Sequence, residues 1–235
     1  SSLCDSGLRS ITISLDGLQE SHNWLRGKSD SFQKAVHAIT LCAANKDIKF
    51  DVVTCVNKRN IIELENIKHL LRETGVRKWR LFTIFPKGRA KQNSDLELNN
   101  EEFRRMLDFI ADCRKTKTIE ASYGCEGFLG NYEGKVRDGF FFCRAGISIA
   151  SVLADGNISA CPSLRGDFIQ GNIYNDDFID CWNDRFGPMR NRNWTKTSRC
   201  SDCKEFNYCN GNGLHLRDGQ KGELLTCHYE RITNI

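Results

Sequence analysis

The sequence predicts an α/β protein in two parts: a mostly parallel sheet with its helices over residues 1–140, then a small cysteine-rich domain over residues 141–235. Three observations carry this reading. Short β-branched runs alternate with amphipathic ones from Ile11 to Tyr123. The texture then changes, residues 124–142 being rich in Gly and Phe with no clean period. Beyond Cys143 come short strands, turns and a spaced set of cysteines. A chain of 235 residues is long enough to bury about 70–75% of its unfolded surface without covalent staples.

The elements follow in order. Ile11-Thr12-Ile13-Ser14-Leu15 is a strand that ends at Asp16-Gly17. Asp30-Ser31 is placed to cap a helix whose apolar face is Phe32, Ala35, Val36, Ile39 and Ala43. Ile48 to Val56 is the second strand; Asn60 is placed to cap a helix with Ile61, Leu64, Ile67 and Leu71 on one face, stopped by Gly75. Trp79 to Phe85 is the third strand, closed by Pro86. Asn99 with Glu102 makes a capping box for a helix striped by Phe103, Met106, Leu107, Ile110 and Cys113, and Ile119 to Tyr123 is the last strand. Strands alternating with helices imply right-handed crossovers. So few strands cannot close an eight-stranded barrel, which takes about 250 residues. The expectation is an open sheet or part of a barrel. In the second part, Ile147 to Leu153 and Ile158 to Cys161 flank Asp155-Gly156-Asn157, the signature of a hairpin.

Composition narrows the function. Hydrophobic residues make up 40% and charged residues 27%, and a net charge of +4 is too small to predict a nucleic-acid partner. No run of about 18 apolar residues predicts a membrane span, and no secretory apolar segment opens the chain. The expected compartment is the cytoplasm. There the 12 cysteines are expected as thiols and metal ligands rather than disulfides. The chain opens on Ser1 rather than Met and runs almost at once into a strand, which reads as a start inside a domain.

Cys200, Cys203, Cys209 and Cys227 are the strongest constellation. A Cys-x2-Cys turn puts two sulfurs on one centre with backbone amides aimed at the thiolates, and two further cysteines complete a tetrathiolate. The spacing specifies metal without choosing between structural zinc and an iron–sulfur cluster. Cys143 and Cys161, brought together by the Asp155-Gly156 turn, form half of a second site or pack as apolar core thiols. Cys4, Cys42, Cys55, Cys113 and Cys181 read as core or helix-face residues.

The pattern Cys143, Gly156-x4-Cys161, Cys200-x2-Cys203-x5-Cys209, Cys227 resembles the SPASM domain that follows the catalytic barrel of many radical S-adenosylmethionine (SAM) enzymes. That resemblance implies an auxiliary [4Fe–4S] cluster on Cys200, Cys203, Cys209 and Cys227. The family's seventh cysteine falls at Gly213, so the second auxiliary cluster is expected to be absent or irregular, with Cys125 and His215 the residues that would complete it. His215 and His228 otherwise read as ordinary loop histidines. Upstream, Ile13-Ser14-Leu15-Asp16-Gly17 with His22, Leu25-Arg26-Gly27 and Ser31-Phe32 is similar to the fourth-strand region of radical SAM barrels. By resemblance Ser14, Asp16 and Arg26 approach SAM, and Asn57 occupies the place of a further polar contact. Residues at the ends of parallel strands face a barrel mouth, and an Arg fork suits a carboxylate. The residue-level alternatives are turn chemistry for Ser14, Asp16 and Asn57 and a solvated charge for Arg26. Pro86-Lys87-Gly88-Arg89-Ala90 resembles the post-strand segment of the same enzymes. Cys125 and Glu126, after the last strand, are candidate proton or hydrogen-atom groups, with a structural loop as the alternative.

The Cys-x3-Cys-x2-Cys motif that anchors the SAM cluster in this family is not in the chain, nor is a Gly-Gly-Glu-Pro-type segment. In the family both lie upstream of the strand at Ile11, so the expectation is a C-terminal portion, by itself unable to cleave SAM. The resemblance implies a peptide or protein substrate and an external electron donor. The rival readings are a non-catalytic binding module with a structural zinc knuckle and an electron-transfer protein without SAM.

Overall fold

The computed structural model describes residues 5–124, 126–219 and 222–233. Cys4, Cys125 and the side chain of Arg89 lie outside the described set. The chain divides into two compact units: one holds the described residues to Gly124 together with Asn131–Gly139, the other the described residues of Cys125–Gly130 and Phe140–Ile235.

The first unit is a four-stranded parallel sheet in the order β1 (Ser10–Ser14), β2 (Lys49–Val56), β3 (Lys78–Thr83), β4 (Glu120–Tyr123). Between the strands run helices α1 (Gln19–Arg26), α2 (Ser31–Ala44), α3 (Leu64–Glu73, entered through one turn at Ile61–Glu63) and α4 (Asn100–Thr116). Each expected strand and long helix is present, and α1 is an addition. The register puts Val52, Thr54, Trp79, Leu81, Ala121 and Tyr123 on one face, where all are buried. The α4 stripe of Phe103, Met106, Leu107, Ile110 and Cys113 is buried too. Helix α4 covers that face: Phe109 meets Trp79 edge-on at 5.7 Å between centroids and Phe103 meets Tyr123 at 5.9 Å. Trp79 is fully buried, and its indole N–H donates to Thr54 Oγ1 (2.8 Å), whose hydroxyl donates to Leu15 O (2.6 Å). A chain of hydrogen bonds thus ties three strands beneath the helices.

The other face is mostly polar and ranges from half-buried to exposed. Thr12 Oγ1 donates to Asp51 Oδ1 (2.7 Å), Arg80 pairs with Asp51, and Arg80 Nη2 donates to Thr12 Oγ1 (3.1 Å). Parallel sheets ordinarily carry apolar residues on both faces. Here the helices cover one face and leave the polar face without a helix layer.

Two caps differ from expectation. Asp30 makes no capping bond and instead pairs with Lys34 (2.7 Å); Asn23 Oδ1 accepts the Phe32 N–H (2.8 Å). Asn60 does not cap α3, because its side chain is taken by the turn after β2. The Asn99–Glu102 capping box is formed in both directions (2.8 and 2.7 Å).

The second unit holds little regular structure. An antiparallel three-stranded sheet joins β5 (Ser151–Val152), β6 (Asn157–Ser159) and β7 (Ile169–Asn172). The expected hairpin at Asp155-Gly156 closes through Leu153 N–H to Asn157 O (2.8 Å) and Gly156 N–H to Leu153 O (2.9 Å). Its core gathers Ile158, Leu164, Phe168, Phe186, Met189 and Leu214, and Cys143 and Cys161 pack against it.

Candidate metal centre and cofactor face

In the first unit the polar constellation forms where β1 and β2 end, the side on which parallel α/β folds place their sites. Asp16 follows β1 and has no solvent exposure. Its Oδ1 accepts the Cys55 N–H (2.8 Å), and its Oδ2 accepts Arg26 Nε (2.7 Å), with Arg26 Nη2 on the same oxygen. Arg26, from the last turn of α1, is therefore held by a fork rather than free in solvent. The Asp16 N–H donates to His22 Nδ1 (2.9 Å). A ring nitrogen that accepts from an amide carries no proton, so the neutral ring is protonated at Nε2, which donates to Ser31 Oγ (3.0 Å). Burial lowers the His22 pKa; Asp16 opposes the shift and Arg26 adds to it.

Gly17 follows with φ +142°, and a Cβ there would lie 2.7 Å from Ser21 Cβ and 2.8 Å from Glu63 Oε2. That space admits Glu63, which accepts from Leu18 N–H (2.9 Å) and Ser21 Oγ (2.8 Å) at the start of α1. Asn57 is buried, and its polar atoms are spent inside the turn: Oδ1 accepts from Arg59 N–H (3.0 Å) and Nδ2 donates to Cys55 O (3.2 Å). Asn60 donates to Asp16 O (2.8 Å) and Cys55 O (2.9 Å). Ser14 ends β1 half-buried on the same sheet face as Thr12. The structure thus brings Asp16 and Arg26 together, sets Ser14 on the polar face, and gives Asn57 a turn-holding part.

In the second unit, Cys200 ends a short turn (Ser198–Cys200), Cys209 ends the helix Phe206–Cys209, and Cys227 directly precedes the helix His228–Thr233. Cys200 is buried; Cys203, Cys209 and Cys227 are half-buried, and all four are free thiols. Burial, then the charges of Cys227, Cys200 and Cys203, push the Cys209 thiol up to about 12, so the four sulfurs share one electrostatic neighbourhood. Backbone N–H groups face two of them: that of Asn212 toward Cys209, and those of Tyr229 and Glu230 toward Cys227. Arg217 Nη2 lies 3.5 Å from Cys200 Sγ. Among the described residues no three His, Cys, Asp or Glu side chains converge on a single-ion position. Half-buried thiols supplied with N–H donors are the donor set an iron–sulfur cluster takes.

Cys143 and Cys209 share the wall of a cavity of about 120 Å³, with Phe141, Arg190, Arg192 and Tyr208. Arg192, buried, donates to the carbonyls of Met189 (2.9 Å), Cys143 (3.1 Å), Ala145 (3.3 Å) and Asn212 (3.4 Å), pinning the Cys143 segment. Gly146 N–H donates to Ala160 O (3.3 Å), which holds the residues after Cys143 beside those before Cys161.

The family model described as an iron-sulfur cluster-binding domain, SPASM, matches residues 143–204. The chain is 25% identical over 246 residues to the AdoMet-dependent heme synthase of Nitratidesulfovibrio vulgaris, covering 96% of this chain and 66% of that protein. It is 25% identical over 238 residues to the Fe-coproporphyrin III synthase of Methanosarcina barkeri, covering 89% and 59%. Among solved structures, anSMEcpe with bound AdoMet and Cp18Cys peptide superposes with a TM-score of 0.63 at 16% identity, over 96% of this chain and 65% of that one. Streptococcus suis SuiB bound to S-adenosylmethionine gives 0.62 at 15% identity, over 91% and 52%.

Residues 143–204 belong to the SPASM iron-sulfur cluster-binding domain family, and the chain as a whole is similar in sequence to AdoMet-dependent synthases and in fold to AdoMet-binding enzymes. It spans 66% and 63% of the lengths of the first two relatives. The parallel sheet has the fold of part of a radical SAM barrel, and the cysteine-rich unit carries the SPASM iron–sulfur domain. A zinc knuckle on an unrelated platform is thereby set aside. The matched segment includes Cys143, Cys161, Cys200 and Cys203; Cys209 and Cys227 lie beyond it.

At the place of the family's seventh cysteine, a Cβ on Gly213 would sit 2.7 Å from Glu126 O and 2.7 Å from His215 Cε1. The backbone is closed around a residue with no side chain. His228, expected to be a loop histidine, is buried at the start of a helix with Nε2 3.8 Å from Glu126 Oε2. Glu126 is itself buried. Sequence reasoning missed this pair and the two buried arginines Arg192 and Arg217, since nothing in local spacing separates a buried Arg from a solvated one.

Proposed function

We propose that the protein works as a radical SAM enzyme whose auxiliary [4Fe–4S] cluster sits on Cys200, Cys203, Cys209 and Cys227, and that its substrate is a tetrapyrrole. The observation that carries the cluster assignment is the match of residues 143–204 to an iron-sulfur cluster-binding domain, with N–H donors facing Cys200, Cys209 and Cys227. When bound, the cluster supplies one-electron chemistry or order to the substrate beside it. Two of its ligands are positioned by helix ends, and the Cys227 thiolate gains from the N–H groups that open the following helix.

In the first unit, Asp16 holds the Arg26 fork, and that pair with the Ser14 hydroxyl is the surface we assign to SAM. The remaining guanidinium N–H groups suit a carboxylate. Neutral His22 fixes the Asp16 loop without adding charge. Reduction of the enzyme draws on an external electron donor. The tetrapyrrole assignment is supported by the sequence relatives, which are named AdoMet-dependent heme synthase, Fe-coproporphyrin III synthase and Pre-heme d1 synthase. A peptide substrate is the second reading, favoured by the fold-level neighbours anSMEcpe, solved with a Cp18Cys peptide, and SuiB, solved with the precursor peptide SuiA.

The test uses the full-length protein, purified anaerobically and reconstituted with iron and sulfide. SAM and dithionite are added with either a porphyrin carrying propionate side chains or a cysteine-containing peptide. Formation of 5′-deoxyadenosine that depends on the porphyrin, with a mass change in it, supports the first reading. Peptide-dependent formation supports the second. Stoichiometric zinc in a colourless protein, or no 5′-deoxyadenosine with either substrate, overturns the proposal.

A further inference from the structure

Arg217 is 1% exposed, one of the largest fully buried side chains in the molecule. Burying a guanidinium is costly unless its N–H groups find acceptors and its charge finds something negative. Its Nε donates to Gly211 O (3.1 Å), Nη1 to Gly222 O (3.3 Å) and Nη2 to Thr195 O (3.0 Å). Nη2 also lies 3.5 Å from Cys200 Sγ, within range of an N–H···S hydrogen bond. Cys200 is the most buried of the four proposed ligands, at 7% exposure. Gly211 and Thr195 shape the cradle: a Cβ on Gly211 would lie 3.0 Å from Arg217 Nη2 and 2.1 Å from Thr195 Oγ1. The three carbonyls hold the guanidinium plane, so the sulfur receives a donor whose direction is set in advance.

We propose that Arg217 sets the reduction potential of the auxiliary cluster by donating a charged hydrogen bond to the Cys200 thiolate. The inference rests on the cluster assignment above. One-electron reduction adds a negative charge to the cluster. A fixed guanidinium in a low-dielectric site stabilises that charge, and a hydrogen bond to a ligand sulfur acts in the same direction. Arg217 therefore makes the cluster easier to reduce. Arg217 is a positioning residue: it acts through Cys200.

The experiment is a dye-mediated potentiometric titration of the full-length reconstituted protein with dithionite, followed by electron paramagnetic resonance. Wild type is compared with Arg217→Met, Arg217→Gln and Arg217→Lys, each assayed first for iron and sulfide. Arg217→Met is expected to lower the equilibrium constant for reduction about tenfold, 59 mV for a one-electron couple. Arg217→Lys is expected to restore part of the shift, and Arg217→Gln less. An unchanged potential in variants with wild-type iron content overturns the role of Arg217 and leaves the cluster assignment standing. A wild-type protein without iron and sulfide overturns the cluster assignment itself. If the variants do not hold a cluster, wild type labelled with nitrogen isotope in its arginine side chains decides the matter. Electron–nuclear double resonance on the reduced cluster is expected to show coupling to a guanidinium nitrogen. That coupling should persist in an Arg199→Lys background, Arg199 being the neighbour of Cys200 that pairs with Glu230 (2.8 Å). No coupling overturns the proposal.

Discussion

Asp16 fastens β1 to α1 and β2 by three separate bonds: to Arg26, to the Cys55 amide, and from its own N–H to His22. The last of these makes acid stability depend on His22. Its pKa in the folded protein lies below the ordinary 6.5, chiefly through burial. The unfolded chain therefore binds the proton more readily, and stability falls as pH drops below about 6.5. Urea unfolding at a series of pH values is expected to show full stability in wild type above that pH and a loss that grows below it. His22→Asn, which keeps an acceptor and removes the titration, should flatten the slope. A slope unchanged in the variant would contradict the assignment. Gly213 supports a second residue-scale prediction. Gly213→Cys is expected to lower stability and leave iron content unchanged, because its Cβ meets the Glu126 carbonyl. Additional iron on reconstitution would show a second cluster completed. Much of this was legible beforehand. The cysteine spacing was read directly from the chain, while the Ser14-Asp16-Arg26 group and the missing cysteine at Gly213 came from the resemblance that spacing carries. The partners of Arg26, Asn57 and His228 were not, since each is chosen by a residue distant in sequence.

At the scale of elements, period and capping carried most of the information. The α4 stripe and its Asn99–Glu102 box were both visible, and both formed. Asn99→Ala is expected to cost about 1 kcal/mol, read as a lower urea midpoint with unchanged slope. Asp30 and Asn60 show where the same reasoning fails. Both are cap-type residues before helices, yet Asp30 is drawn to Lys34 and Asn60 to the Asp16 and Cys55 carbonyls. A cap residue chooses the acceptor or donor that tertiary packing brings nearest. The unexpected helix α1 has the same origin. Its eight residues are too few to be stable by propensity, and Glu63, from beyond β2, satisfies its first turn. Strand β7 escaped notice because Ile169–Asn172 is four residues containing Gly171, with no alternation to mark it.

At the scale of the whole molecule, the two units differ in what holds them. The first has a continuous parallel sheet and a buried helix-covered face. The second has short strands, short helical turns and one modest apolar cluster, so its four-cysteine centre is expected to contribute a large share of its folding energy. Removing iron anaerobically with a chelator should therefore collapse amide-exchange protection around Cys200–Cys209 and Cys227–Thr233 while leaving β1–β4 protected. Equal loss in both units would count against this. By itself, the sequence determined the α/β class, the order of the long elements and the cysteine set, because these are written in local period and in spacing. Only the tertiary structure decided that one sheet face is polar, that Arg26 is held by a buried Asp16, and that Arg217 reaches the Cys200 sulfur. The physical reason is that burial removes water as a competing partner. A charged group must then bond to whatever the fold places beside it, and that neighbour is distant along the chain.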